Sequence, residues 1–135
     1  MVWCFAKHTL HNEFNLIIMN AENKEFRVGL CAGRHDIIDG DIEIKDFIFP
    51  NPIENPNDFE ALRFQANDKL EDIWFAGGKI YLYVTGLGQA LTVVLSEAMH
   101  LFALTEYDME FTVMHYDRET GTYKGHNFFG GEEPI

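Results

Sequence analysis

The sequence predicts an α+β domain in which a mixed, mostly antiparallel sheet is packed by two α-helices. Short runs rich in β-branched and aromatic residues indicate strands before and after two longer segments whose apolar residues have helical spacing. The chain has 135 residues, of which 47% are hydrophobic, and this suits one compact domain with a buried core. We therefore expect residues 1–135 to form a single domain.

The predicted strands of the N-terminal part begin with a hairpin. FNLIIMN (14–20) and EFRVGLCAG (25–33) are apolar runs on either side of the polar turn AENK. We interpret residues 1–20 as an N-terminal strand or arm. DIEIKDFIFP (41–50) predicts a third strand, and Pro50 ends it because proline cannot donate a hydrogen bond to a sheet.

The first predicted helix has clear boundaries. Asn57 is a candidate N-cap, and Glu60 three residues later completes a capping-box pattern. Gly77 and Gly78 end the helix. The apolar residues that recur every three or four positions, and so predict one buried stripe, are Phe59, Leu62, Ala66, Leu70 and Ile73.

The C-terminal half predicts a strand–helix–strand unit. KIYLYVT (79–85) is typical of a central strand, residues 89–104 of a nearly apolar helix, and MEFTVMHY (109–116) of another strand. The connection is long enough for a parallel crossover. After the turn RETG, the segment TYKGHNFF (122–129) is either a last strand or part of a C-terminal tail, which we assign to residues 125–135.

Charge excludes several classes of partner. The formal net charge of −12 disfavours long nucleic acids and anionic membrane surfaces. Cys4 and Cys31 have no CxxC spacing, and the six histidines show no metal-ligand spacing, so we expect no disulfide, metal or cofactor. No apolar run approaches a membrane span, and the start MVWCFAKH lacks the features of a signal peptide, which predicts a cytoplasmic protein.

A glycine-containing turn is the first candidate functional feature. YVTGLGQAL leads from a predicted strand into a helix, and helix N-termini bind phosphates through unpaired N–H groups. The alternative is that these glycines only allow a tight strand-to-helix turn. The polar residues that follow on one stripe of the helix are Gln89, Thr92, Ser96 and His100. The stripe is either the wall of a pocket or simply the solvent side.

Two arginines occur in similar settings. GRHD (33–36) and HYDR (115–118) each place an arginine beside a histidine and an aspartate, after a predicted strand. Arg34 and Arg118 are able to bind phosphates bidentately at the end of a sheet, with His35 or His115 adding a donor. The alternative is surface ion pairing of these arginines with neighbouring carboxylates.

These motifs together resemble a phage protein family. GRHDI, FIFPNP before an acidic helix, YLYVTGL, and HYDRETGTY occur in this order over residues 27–124. They are similar to the Thoeris anti-defence sponge of the first described type, which sequesters the glycocyclic ADP-ribose signal of bacterial Thoeris immunity. The resemblance implies a non-enzymatic, single ligand-binding domain in the cytoplasm of the infected host. It also implies a separate site for CBASS cyclic trinucleotides.

The resemblance implies two sets of site residues and a homo-oligomer, a dimer assembled further into a hexamer. Arg34, His35 and Arg118 would bind cyclic-oligonucleotide phosphates between subunits. The residues implied for the cyclic ADP-ribose pocket are Thr85, Gly86, Leu87, Gly88, Gln89, Thr92, Ser96 and Tyr123. Among them, Leu87 would stack on adenine, Ser96 would read its edge, and Tyr123 would close over the ligand. The alternatives are a small phosphodiesterase that uses His35 or His115, and a structural oligomerisation module.

Overall fold

The computed structural model describes residues 24–33, 35–75, 78–104 and 109–130. The predicted arm at 1–20, with its strand at 14–20, lies outside the described residues. The elements in chain order are β1 (Glu25–Cys31), β2 (Ile37–Asp39), β3 (Ile42–Ile44), β4 (Phe47–Phe49), α1 (Phe59–Trp74), β5 (Lys79–Tyr83), α2 (Gly88–Leu104), β6 (Glu110–Asp117) and β7 (Thr122–Phe129).

Within the described residues, the main sheet has five strands in the order β4-β1-β5-β6-β7. A single α+β domain with a mixed sheet and two packed helices is therefore confirmed. Among the described strands, the predicted majority of antiparallel pairs is wrong for this sheet, because three neighbouring pairs are parallel and only β6–β7 is antiparallel. The physical reason is that both helices connect parallel strands: α1 joins β4 to β5, and α2 joins β5 to β6.

The segment 41–50 forms two strands rather than one. β3 pairs antiparallel with β2 in a separate ribbon, in which Ile37 lies opposite Ile44. β4 instead pairs parallel with β1, with Phe47 opposite Gly29. The change of partner occurs at Lys45 and Asp46, which no periodicity in the sequence marks. Pro50 follows the last strand residue, as predicted.

The helices pack on one face of the main sheet and enclose the larger hydrophobic core. The α1 stripe is confirmed from Leu62 to Ile73, but Phe59 is 48% exposed. Asp58, not Asn57, is the N-cap, since its Oδ1 accepts a hydrogen bond from the Ala61 N–H at 3.2 Å. The core residues of the sheet that meet the helices are Val28, Leu30, Ile80, Leu82, Phe111 and Val113.

The β2–β3 ribbon lies over the opposite face of the sheet. Ile37 and Ile44 pack there with Tyr83 and Met114 in a second, smaller core. Gly29 lies beneath the Phe47 ring: an added Cβ would be 2.5 Å from two ring carbons. The ribbon connects β1 to β4, so this connection and the two helical ones lie on opposite faces of the sheet.

β7 pairs with β6 along its length, with a register shift near Phe111 and Thr112. Residues 125–129 are consequently strand, and the tail predicted from residue 125 does not begin there. Phe129 holds this end of β7, because its ring centroid lies 4.4 Å from that of Phe102 and 5.4 Å from that of Phe111. Neither helix in the described part of the chain is long and apolar enough to cross a membrane.

Candidate ligand-binding site at the carboxyl edge of the sheet

The parallel strands β1, β5 and β6 end at the same side of the sheet, which we call the carboxyl edge. The chain leaves β1 toward the β2–β3 ribbon on one face and leaves β5 toward α2 on the other. Adjacent strands whose connections diverge in this way open a crevice, and open α/β sheets bind ligands in such crevices. The fold therefore places Gly33 and His35 after β1, the TGLG turn and the end of HYDR around one edge.

Thr85 spans the crevice between β1 and β5. Its hydroxyl accepts a hydrogen bond from the Cys31 N–H at 3.2 Å and donates one to the Cys31 carbonyl at 3.1 Å. The β5 backbone meanwhile remains attached to β6, because the Val84 N–H donates to the Met114 carbonyl at 3.0 Å. Thr85 is 3% exposed, and its single hydroxyl proton is donated to the Cys31 carbonyl, so this side chain shapes the crevice.

The turn after Thr85 requires glycine at one position. Gly86 has φ +80°, a left-handed conformation that side chains disfavour. Leu87 is half-buried against the main core, and its carbonyl accepts the helical hydrogen bond from the Leu91 N–H at 3.2 Å. Only part of the Leu87 side chain is therefore available to a ligand. Gly88 is exposed and begins α2.

Two helix N-termini meet at the carboxyl edge. Gln89 Nε2 donates to Asn57 Oδ1 at 3.4 Å, which ties the first turn of α2 to the residue before the α1 cap. The Asp58 carboxylate already caps α1. The N–H groups of Gly88 and Gln89 have no acceptor within the described ranges, so the positive end of α2 remains open.

The polar stripe of α2 faces outward in the single chain. Thr92, Ser96 and His100 are exposed, whereas Gln89 is half-buried. The Thr92 hydroxyl bonds to its own helix, at 3.1 Å from the Gly88 carbonyl and 2.9 Å from that of Gln89. Within one chain the stripe is thus the solvent side of α2.

Arg118 follows β6 directly and is exposed. It forms no ion pair with any residue that the structure describes. The neighbouring carboxylate of Asp117 instead holds the turn, since it accepts from the Glu119 N–H at 3.0 Å and the Thr120 hydroxyl at 3.1 Å. Pairing of Arg118 with Asp117 or Glu119 is therefore not formed here.

Gly33, His35 and Asp36 border a groove of about 510 Å³ on the ribbon side of the sheet. His35 is exposed in its wall, and Arg34 lies outside the described residues. Side chains of positive and of negative charge line the groove, and Lys45 forms an ion pair with Glu43 at 3.8 Å. The lining residues are Gly33, His35, Asp36, Glu43, Ile44, Lys45 and Phe47.

Tyr123 lies on the sheet face opposite the helices. Its ring packs edge-on against Tyr83 at 5.0 Å and against Tyr116 at 5.3 Å between centroids. Burial raises the pKa of the Tyr123 hydroxyl. Because α2 packs on the other face, one chain does not bring Tyr123 and Ser96 into a common pocket.

Arg27, which sequence reasoning did not select, is enclosed by partners on the same face as Tyr123. Its Nη1 donates to the Tyr83 hydroxyl at 2.5 Å, and that hydroxyl donates to Asp39 Oδ2 at 2.6 Å. The guanidinium also lies 4.3 Å from the centroid of the Tyr81 ring. Burial, followed by the bond to Asp39, raises the pKa of Tyr83 to about 12. Arg27 is thus a structural cation.

A second arginine that sequence reasoning missed joins the two helices. Arg63 Nε donates to Glu97 Oε1 at 2.9 Å, and Asn67 Nδ2 donates to Glu97 Oε2 at 3.3 Å. Glu97 is only 6% exposed. One signal was present in the sequence: Glu97 falls off the polar stripe of α2, and a carboxylate on an apolar helix face needs a buried partner.

Metal ligation has no support among the residues in view: no three His, Cys, Asp or Glu side chains within the described ranges cluster as a possible ligand set. The carboxyl edge offers the Arg118 guanidinium, open helix N–H groups and glycine backbone. In comparisons with known proteins, no family model, no curated protein and no solved structure matches this chain.

Proposed function

We propose that this protein binds and sequesters, without cleaving, a small cyclic nucleotide at the carboxyl edge of its sheet. The observation that carries the proposal is the open N-terminus of α2 at the carboxyl edge. Arg118, a guanidinium with no carboxylate partner among the described residues, marks a second anion-binding position on the same edge. Both groups bind phosphate oxygens, the helix through N–H groups and its dipole, the arginine through a bidentate fork.

Size and charge support a small cyclic ligand. The formal charge of −12 repels a long polyanion, whereas a compact one needs only a local positive site. Glycocyclic ADP-ribose has this character, because its pyrophosphate is the only anionic part and its adenine is neutral. The resemblance to the Thoeris sponge family points to the same molecule and to an anti-defence role in an infected bacterial host.

The two implied binding sites differ in position. The GRHD segment follows β1, and the HYDR segment lies at the end of β6. β5 separates these two strands, so a ligand that touches both segments must span about 10 Å. A cyclic trinucleotide with several phosphates suits that span, and we assign it to Arg34, His35 and Arg118. Cyclic ADP-ribose is assigned to the turn Gly86–Gly88 and to α2.

A second copy of the chain completes the proposed cyclic ADP-ribose pocket. Ser96 on α2 is exposed, and Tyr123 lies on the far side of the sheet. If both contact one ligand, they come from different subunits. The proposed pocket therefore requires a dimer, and the further assembly into a hexamer follows the family resemblance.

Sequestration is tested by recovery of the ligand. Purified protein is incubated with an excess of glycocyclic ADP-ribose, separated from unbound ligand, denatured with heat and analysed by mass spectrometry. We expect intact ligand in stoichiometric amount. A cleaved product that accumulates beyond the protein concentration would instead establish a phosphodiesterase, and the absence of any retained ligand would reject the proposed binding.

A further inference from the structure

A groove between the two helices has the features of a separate ligand site. It has a volume of about 340 Å³, in the range of small-molecule sites. On α2 it lies about two turns from the open N-terminus, because Glu97 is eight residues along the helix from Gln89, or about 12 Å. The residues that line it are Glu60, Arg63, Phe64, Asn67, Glu97 and His100.

The base of the groove is fixed by a buried carboxylate. The Glu97 side chain is 8% exposed, and its two oxygens accept from Arg63 Nε and Asn67 Nδ2. The two terminal amino groups of Arg63 have no acceptor in the part of the chain that the structure describes, and its side chain is 66% exposed. The guanidinium is therefore held in place through Nε while its outer donors remain available.

The wall of the groove carries an exposed aromatic ring. Phe64 is 70% exposed, the largest exposure among the large hydrophobic residues of the described chain. Exposure of such a ring to water is unfavourable, and a ligand stacked on it would remove that apolar surface from water. The Asn67 Oδ1 atom adds an acceptor, because only its Nδ2 is used by Glu97.

Electrostatics select a neutral ligand for this groove. Glu97 balances the charge of Arg63, and the exposed Glu60 carboxylate adds a negative charge to the wall. A phosphate would meet no net attraction here. A neutral planar ring with hydrogen-bond acceptors suits both the aromatic wall and the outer donors of Arg63.

We propose that the helix groove binds a neutral purine base and prefers guanine to adenine. The ring stacks on Phe64, and the two Nη groups of Arg63 donate to the O6 and N7 acceptors that guanine presents side by side. Adenine places an amino donor where guanine has O6, so it would oppose a donor to a donor. This site is independent of the phosphate site proposed at the carboxyl edge.

Binding of guanosine to the full chain tests the proposal. Equilibrium dialysis should show saturable binding of guanosine below about 1 mM, with adenosine at least ten-fold weaker. Inorganic phosphate at millimolar concentration should leave guanosine binding unchanged. No guanosine binding, equal binding of adenosine, or competition by phosphate would each overturn the assignment.

Matched variants locate the site. Phe64→Ala should weaken guanosine binding by roughly 5- to 150-fold, the range found for loss of a base-stacking ring. The control is Phe59→Ala, a second exposed phenylalanine of α1 that does not line the groove, and it should bind as the parent does. Equal behaviour of the two variants would place the ligand elsewhere.

A lysine variant separates recognition from folding. Arg63→Lys keeps a cation for the buried Glu97 but removes the planar fork. We expect its thermal unfolding to stay close to that of the parent while the preference for guanosine over adenosine disappears. A preference that survives in Arg63→Lys, or that is lost in Arg118→Ala, would contradict the proposed contacts.

Discussion

Replacement of Thr85 by valine tests how the crevice is built. Valine has nearly the same shape but no hydroxyl, so Thr85→Val removes the bonds of 3.2 Å and 3.1 Å to the Cys31 backbone. Each buried hydrogen bond contributes roughly 1 kcal/mol net, so the free energy of unfolding should fall by about 2 kcal/mol. The measurement is urea denaturation of both proteins, with the midpoint expected to decrease at unchanged slope.

Thr92→Val is the matched control for this prediction. The Thr92 hydroxyl is exposed, and among the described residues it bonds only to carbonyls of its own helix, so its loss should change stability by less than about 0.5 kcal/mol. The reasoning would be refuted if Thr85→Val cost no more than Thr92→Val. Other contacts would then hold the carboxyl ends of β1 and β5 together.

Three further outcomes follow from the structure. Gly29→Ala should destabilise the fold by about 1–3 kcal/mol in the same denaturation assay, because its Cβ would overlap the Phe47 ring. Raising the pH from about 10 to 12 should destabilise the parent, because the unfolded chain ionises Tyr83 in this range whereas the folded-state pKa of Tyr83 is about 12. Tyr83→Phe should weaken this pH dependence of stability, and an unchanged pH profile in the variant would argue against this role of Tyr83. Arg118→Ala should weaken cyclic trinucleotide binding, measured by calorimetry, far more than cyclic ADP-ribose binding; equal losses would show that the two sites are one.

Strong local patterns in the sequence were sufficient for much of the fold. The β-branched and aromatic run at 79–85 and the apolar segment at 89–104 correspond to β5 and α2 within a few residues. The direction of each strand could not be predicted from these local patterns, because it depends on how the strands are connected. The exchange of partners at Lys45 and Asp46 hid the strand that precedes α1, and with it the second parallel crossover.

The α1 cap shows how adjacent candidates limit sequence reasoning. Asn57 and Asp58 are both good N-cap residues, and they stand next to each other in the NPND segment. The contact of Asn57 with Gln89 and the bond from Ala61 to Asp58 decide between them, and the first joins residues far apart in sequence.

The candidate site was predictable only in its local parts. The glycine turn and the two arginine segments are visible in the sequence, and the parallel sheet brings their strands to one edge. The Arg63–Glu97 pair, in which only the carboxylate is buried, joins residues 34 positions apart, so no spacing reveals it. The face on which Tyr123 lies depends on its register opposite Tyr116, which is a property of the assembled sheet.

The most direct test of the central claim is backbone amide NMR of the full chain during titration with glycocyclic ADP-ribose. The proposed site predicts the largest shifts at the amides of Gly86, Gly88 and Gln89, at the carboxyl edge. Lys79, which begins β5 at the opposite edge, serves as the internal control and should not shift. Saturable shifts confined to the carboxyl edge are the expected result, whereas shifts centred on Lys79, or no shifts at all, would contradict the proposed function.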